Sequence, residues 1–236
     1  MDISVVIPCY NAGPWIVEAL RSTAEQSYPP HEVIVIDDGS TDDSIERVQT
    51  SGVAVKLLRS DHVNAASARN LGIKEATGDW IALLDADDVW YPHHLRAAFD
   101  LLRGTGDVAY RAMVDVIDAA GHVGPLVWPS RDLITEPRTG LTHLDAIELE
   151  AKHFPFGHST ILYRRDRLRE VGGFDAAQVK RHDIDLWLRM VDHRTWAYHP
   201  QPGVKYRADR PGRIGANLVD CEYYYLRAML KNRAAY

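Results

Sequence analysis

The feature that most constrains this chain is an alternation repeated through roughly its first hundred residues. Short runs of apolar and β-branched residues, Ile3 to Pro8, Glu32 to Ile36, Val53 to Leu58 and Trp80 to Leu84, take turns with stretches of helical spacing. Pro14 to Gln26 places Ile16, Ala19, Leu20 and Thr23 on one face. Ser40 or Thr41 is placed to cap a helix carrying Ile45 and Val48. Ala66 to Ala76 reads as a helix closed by Gly78, and Pro92 opens another with Leu95, Phe99 and Leu102 inward. Such an alternation predicts an α/β fold with a mostly parallel sheet covered by helices on both faces. Ligands in these folds bind beyond the carboxyl ends of the strands. Two acidic clusters fall at such ends, Asp37-Asp38 and Asp85-Ala86-Asp87-Asp88, and this juxtaposition predicts one site.

The second half reads differently. Val108, Tyr110, Ala112, Val114 and Val116 alternate as in a half-exposed strand, and a polar stretch with Pro and Gly runs from Gly121 to Gly140. Helices are expected over Leu141 to Lys152, Arg165 to Val171, Asp183 to Val191 and Asn217 to Arg233, with a strand over Ser159 to Tyr163. With 236 residues and no evident linker or repeat, the expectation is one domain, residues 1–105 forming a nucleotide-binding half and 106–236 an acceptor and catalytic half. The net charge of −6 offers no global field for nucleic acid. An anionic ligand therefore needs local help, from a cation or from placed arginines. Cys9 and Cys221 lack zinc-ligand spacing, and no run approaches the roughly 18–20 apolar residues that span a bilayer. These observations predict a cytoplasmic protein, at most peripheral at the inner face of a membrane.

Three carboxylates within four residues, Asp85, Asp87 and Asp88, repel one another unless a cation sits among them, and carboxylate oxygen suits Mn²⁺ or Mg²⁺. On the residues alone a second reading stays open, in which these side chains cap the helix at Pro92. Asp37-Asp38-Gly39-Ser40-Thr41-Asp42 fits either a ribose or base contact or plain turn chemistry. The loop Cys9-Tyr10-Asn11-Ala12-Gly13 has no Gly-x-Gly-x-x-Gly pattern, which disfavours a nicotinamide cofactor. His93, His94 and His158 read as surface or acceptor-groove histidines. Trp15, Trp80 and Trp187 read as core, and Trp90 and Trp128 as loop residues on which a sugar face could pack.

Taken in order, Val5-Val6-Ile7-Pro8-Cys9-Tyr10-Asn11, the Asp37 to Asp42 segment, Ala68-Arg69-Asn70-Leu71-Gly72, Leu84-Asp85-Ala86-Asp87-Asp88, Gly172-Gly173-Phe174-Asp175 and Asp183-Ile184-Asp185-Leu186-Trp187-Leu188-Arg189 resemble the motifs of family-2 glycosyltransferases. The resemblance implies a GT-A fold and inverting sugar transfer from a nucleotide-diphosphate donor, most often a UDP-sugar, to a glycan or lipid-linked sugar. It implies that Pro8, Tyr10 and Asn11 line the base pocket, with Asp37 and Asp38 at the base and Arg69 near the base or diphosphate. It implies that Asp85 and Ala86 border the ribose and that Asp87 and Asp88 carry Mn²⁺ or Mg²⁺. Asp183 takes the position of the catalytic base.

Two departures stand out. His182 precedes Asp183 where the family usually has Glu, and Asp209 ends Tyr206-Arg207-Ala208-Asp209 where a His is common. Asp209 keeps a hard oxygen ligand available to the metal. Arg207, Arg210 and Arg213 are the nearby cations that could offset its charge. Two alternatives belong to other classes: a nucleotide-sugar-binding protein with weak or no catalysis, and a nucleotidyltransferase on a related fold. The latter typically shows a basic, Gly-rich loop after the first strand, whereas Cys9 to Trp15 has one Gly and no Lys or Arg.

Overall fold

The computed structural model describes residues 1–61, 64–118, 121–124, 135–146, 157–178, 180–208 and 218–232. In chain order the elements are β1 (Ile3–Cys9), α1 (Ile16–Ala24), β2 (Glu32–Asp37), α2 (Ser44–Thr50), β3 (Lys56–Arg59), α3 (Ala65–Glu75), β4 (Trp80–Leu83), β5 (Val89–Trp90) and α4 (His94–Leu102). There follow β6 (Ala109–Ile117), β7 (Val123–Gly124), β8 (Arg138–Leu141), a 3₁₀ turn (His158–Thr160), β9 (Ile161–Arg164), α5 (Arg165–Glu170), α6 (His182–Val191), β10 (Trp196–Arg207) and α7 (Leu218–Lys231). Residues 143–146 are helical, and the remainder of the helix expected to Lys152 lies outside the described residues. Among the described residues no helix is long and apolar enough to cross a membrane.

One mixed sheet runs through both halves in the order β3-β2-β1-β4-β9-β6-β10-β5, with β7 beside β6 and β8 beside β10. The four strands at the β3 end are mutually parallel, as the alternation predicts, and β9 joins β4 antiparallel. Because successive side chains on a strand point to opposite faces, β1 feeds two cores. Ile3, Val5, Ile7 and Cys9 pack with α1, α2 and α4, while Val6 packs on the other face with α3, α5 and α6. The central strands are covered on both sides, which explains runs of apolar residues without alternation.

Two features of the second half have physical reasons. β6 is buried along almost its whole length, not half exposed, because it lies between β9 and β10 with helices on both faces. Its Arg111 is fully enclosed, with the guanidinium over the Trp187 ring at 5.8 Å. β10 is a 12-residue strand where Pro200, Pro202 and Gly203 suggest a break. The strand survives by bulging, with its register to β6 shifting between His199 and Pro202 and again between Pro202 and Val204.

Gly72 fixes how closely α3 lies on the sheet. A Cβ there would stand 2.5 Å from Val6 Cγ1 and 2.7 Å from Ile36 Cδ1, so any larger residue pushes the helix off β1 and β2. Gly72→Ala is expected to lower stability by about 1–3 kcal/mol through overpacking, read as a lower urea midpoint at unchanged slope. An unchanged midpoint would show that α3 moves away without cost.

Candidate active site

β2, β1 and β4 are neighbours and parallel, so their carboxyl ends emerge at one edge. Cys9 pairs with Asp37 and Val6 with Leu83, and the Leu84 N–H donates to the Val6 carbonyl at 3.1 Å. The loops carrying Tyr10-Asn11, Asp37-Asp38 and Asp85 to Asp88 therefore share one rim. Asn11 adopts a left-handed conformation with φ 47°, which Asn tolerates better than most residues. It is stitched to the second loop: its N–H donates to Ser40 Oγ at 3.1 Å and its Oδ1 accepts the Thr41 N–H at 2.8 Å. Ser40 and Thr41 thus serve this loop rather than a helix cap. α2 begins only at Ser44, whose N–H donates to Asp42 Oδ1 at 3.0 Å. Asp37 and Asp38 are buried at the rim; Asp37 Oδ1 accepts the Ser40 N–H at 2.9 Å and Asp38 accepts the Ser60 hydroxyl. Pro8 is partly buried, and the Tyr10 ring is half exposed beside these loops.

The acidic loop is divided between protein and rim. Asp88 faces inward: Ser159 donates its hydroxyl to Oδ2 at 2.6 Å and the Arg207 N–H donates to Oδ1 at 3.0 Å. Burial, then the charges of Asp87 and Asp85, push the Asp88 carboxyl well above the usual range. The same Ser159 hydroxyl accepts the Asp85 N–H at 2.9 Å, so one side chain fixes both ends of the loop. Arg207 lies inside as well, donating to the carbonyls of Asp87 and Asp118 and to Glu18 Oε2 at 2.9 Å. It is a strut under the loop and not a diphosphate contact.

This arrangement bears on the expected cation. Among the described residues no group of three His, Cys, Asp or Glu is disposed to hold a metal. Asp85 is partly exposed and Asp87 is 8% exposed, whereas Asp88 is 1% exposed and accepts protein hydrogen bonds on both oxygens. Asp209 lies outside the described residues, as do Arg210, Arg213 and Trp128. A hard divalent ion needs only one or two protein carboxylates, which Asp85 and Asp87 would supply.

Arg69 is not a surface residue. It is 4% exposed, and its guanidinium joins two elements: Nη2 donates to Asp85 Oδ1 at 2.5 Å, and Nη1 lies 2.9 Å from His182 Nε2. His182 is the first residue of α6, and Asp183, the expected base, is the second. Asp183 is not the cap of this helix. Arg181 holds that position, with φ 52° and no side-chain cap bond. Asp183 is partly exposed in the first turn, where the unpaired N–H groups favour a carboxylate, and its Oδ1 accepts the Ile184 N–H at 3.0 Å.

The block around these residues is cross-linked by side chains whose roles were not evident in the sequence. Asn70 and Phe174 exchange two bonds of 2.8 Å, Nδ2 to the Phe174 carbonyl and the Phe174 N–H to Oδ1. Gly173 makes the turn at φ 68°, with no room for a Cβ beside Asn70 Oδ1. Arg189 donates to the carbonyls of Val171 and Gly173, both at 2.8 Å, and to Asp185. The Gly-Gly-Phe-Asp segment is thus clamped between α3 and α6. The Phe174 ring lies against Arg69, His158 and His182.

Other sequence expectations are corrected here. His158 is buried, stacked on His182 with centroids 4.8 Å apart, and held neutral because burial and then the nearby Arg69 charge depress its pKa. His94 is buried against Trp90 and Tyr110, and burial brings its pKa down to about 3. Trp90 is a strand residue whose Nε1 donates to the Ser159 carbonyl at 2.8 Å, so it cannot serve as a sugar platform. Only His93 of the three histidines keeps partial exposure.

Asn70→Ala removes both bonds to Phe174 and is expected to cost about 1–3 kcal/mol of stability, measured by urea denaturation. A loss below a few tenths would show that the Gly-Gly-Phe turn is held by Arg189 alone.

Comparison with known proteins agrees with this geometry. Residues 4–172 match Glycosyl transferase family 2. The amylovoran biosynthesis glycosyltransferase AmsB of Erwinia amylovora is 32% identical over 200 residues, covering 80% of this chain and 64% of that protein. The putative glycosyltransferase EpsE of Bacillus subtilis is 30% identical over 224 residues, 88% of this chain and 73% of that one. An uncharacterised glycosyltransferase of Rickettsia prowazekii is 29% identical, and the chain spans 58% of its length. Among solved structures, S. aureus TarS 1-349 in complex with UDP-GlcNAc superposes with a TM-score of 0.77 at 19% identity, covering 98% of this chain and 66% of that one. The mannosyltransferase PcManGT of Pyrobaculum calidifontis, in complex with GDP-Man and Mn²⁺, gives 0.68 at 19% identity, covering 99% and 71%. These structures share the GT-A fold expected from the motifs. By its matched sequence pattern, with its ordered motifs gathered at one sheet edge, the chain belongs to glycosyl transferase family 2.

Proposed function

We propose that this chain is a metal-assisted, inverting glycosyltransferase. It moves a hexosyl or N-acetylhexosaminyl group from a nucleoside-diphosphate donor, with UDP-sugars first among candidates, to a hydroxyl of a glycan or lipid-linked sugar. The observation that carries the reading is the Asp85–Arg69–His182 link. It joins the acidic strand-end loop to the helix turn that bears Asp183, so the proposed donor and base positions are linked through one side chain. The solved structures of TarS with UDP-GlcNAc and of PcManGT with GDP-Man and Mn²⁺, on the same fold, support a nucleotide-sugar donor. A lipid-linked acceptor would bring the chain to a membrane surface.

In this reading the Tyr10 ring stacks on the base beside Pro8 and Asn11, the Asp37-Asp38 loop closes that pocket, and Asp85 and Ala86 border the ribose. Asp87 is the principal protein ligand for Mn²⁺ or Mg²⁺. Asp88 braces the loop from inside, since both its oxygens accept protein hydrogen bonds. The bound cation supplies positive charge where the departing diphosphate accumulates negative charge. Asp183 accepts the acceptor hydroxyl's proton. Its Oδ1 already accepts from Ile184, so Oδ2 is the atom that takes the proton. The freed oxygen attacks the anomeric carbon opposite the leaving diphosphate, which inverts the centre.

Asp183→Asn keeps the side chain's shape and removes its basicity. It is expected to lower transfer by roughly 10²–10⁴-fold while nucleoside diphosphate affinity stays at the wild-type value. Wild-type turnover in this variant would remove Asp183 from the base role. A product with the donor's own anomeric configuration, read by proton NMR, would remove the inverting mechanism.

A further inference from the structure

Arg69 Nη1 and His182 Nε2 stand 2.9 Å apart with both side chains buried. A guanidinium has only donors to offer. The contact is a hydrogen bond only if Nε2 presents a lone pair, which requires His182 to be neutral with its proton on Nδ1. The other tautomer, or the imidazolium, would set two N–H groups against each other. His158 stacks on the ring at an interplanar angle of 14°, Phe174 meets it edge-on, and the Arg69 charge faces Nε2.

The geometry points to His182 as a positioning residue for the donor pocket: as a neutral acceptor it fixes the Arg69 guanidinium across Asp85, without adding charge to an acidic cleft. The bookkeeping of charge explains why the residue type matters. Arg69 and Asp85 cancel, and a neutral imidazole leaves that balance intact. A carboxylate at the same position, as the resembled motif usually has, would add one negative charge and compete with Asp85 for the same guanidinium. The rim must hold a diphosphate near Asp85, Asp87 and Asp183, so a ligand-free negative charge fewer favours the anion. A second consequence is mechanical. Because His182 and Asp183 are consecutive in the first turn of α6, holding His182 on Arg69 also sets where Asp183 stands relative to the loop of Asp85.

This inference rests on the donor reading above, and its test separates the two. His182→Gln retains a side-chain oxygen that accepts from Arg69 but loses the ring. His182→Phe retains the stack on His158 and the edge contact with Phe174 but accepts nothing. Affinity for UDP in the presence of Mn²⁺ is measured by calorimetry for wild type and both variants. The expected result is a dissociation constant within about threefold of wild type for His182→Gln and raised about tenfold or more for His182→Phe, the size of a lost bond to a charged group. Wild-type affinity in His182→Phe, or an equal loss in both variants, overturns the proposal. Long-range proton–nitrogen NMR of ¹⁵N-histidine-labelled protein checks the bond with no ligand present. It should place the His182 proton on Nδ1, and a proton on Nε2 overturns the assignment. If wild-type protein binds no nucleoside diphosphate, the donor reading fails, and the NMR result alone then decides the Arg69–His182 bond.

Discussion

A buried guanidinium cannot stay uncompensated in a low-dielectric interior, and Arg69 is such a group. Its partners come from places far apart in sequence, Asp85 at the end of a strand and His182 at the start of a helix. Satisfying one side chain therefore forces three elements into contact. Two of them carry the residues on which the proposed chemistry depends, Asp85 and Asp87 on the loop and Asp183 on the helix. The Phe174 ring lies against the same guanidinium with its centroid 5.7 Å away, so apolar and polar contacts hold it together.

The rest of the site reads as support for that contact. Asn70, one residue after Arg69, ties α3 to Phe174, and Arg189, one turn from the end of α6, ties the same turn to α6. Asp185, a fully buried residue of α6, takes Arg189 on one oxygen and Lys231 on the other. α7 is held to the same block by Lys231 and by the contact of Ala228 with Ile184 and Leu188. Ser159 and Arg207 brace the acidic loop from below. Within Asp85 to Asp88, the carboxyl of Asp88 anchors the loop from inside, while Asp85 keeps partial exposure.

Much of this was legible in the sequence, for identifiable reasons. The parallel strands and the two acidic strand ends are local patterns, and local patterns survive without knowledge of neighbours. Contacts between motifs were not legible. Nothing in Ala-Arg-Asn-Leu-Gly says that its Asn reaches Phe174 more than a hundred residues away. His94 and His158 read as surface residues because polarity argues for exposure, yet each is enclosed by aromatic neighbours and kept neutral. The sequence reading assigns no element over Trp196–Arg207, where the strand β10 absorbs its prolines through bulges. The inward turn of Asp88 and Arg207 likewise depends on tertiary neighbours that their local sequence does not show.

The central claim is that this sheet edge holds a nucleoside diphosphate through Asp87 and a divalent cation. Calorimetric titration of UDP, dTDP and GDP, with Mn²⁺ and then with EDTA, tests it most directly when wild type is compared with Asp87→Ala. The account predicts binding of at least one nucleotide by wild type in Mn²⁺, with the affinity lost in EDTA and in Asp87→Ala. Affinity that is the same with and without EDTA, or the same in Asp87→Ala, would contradict it.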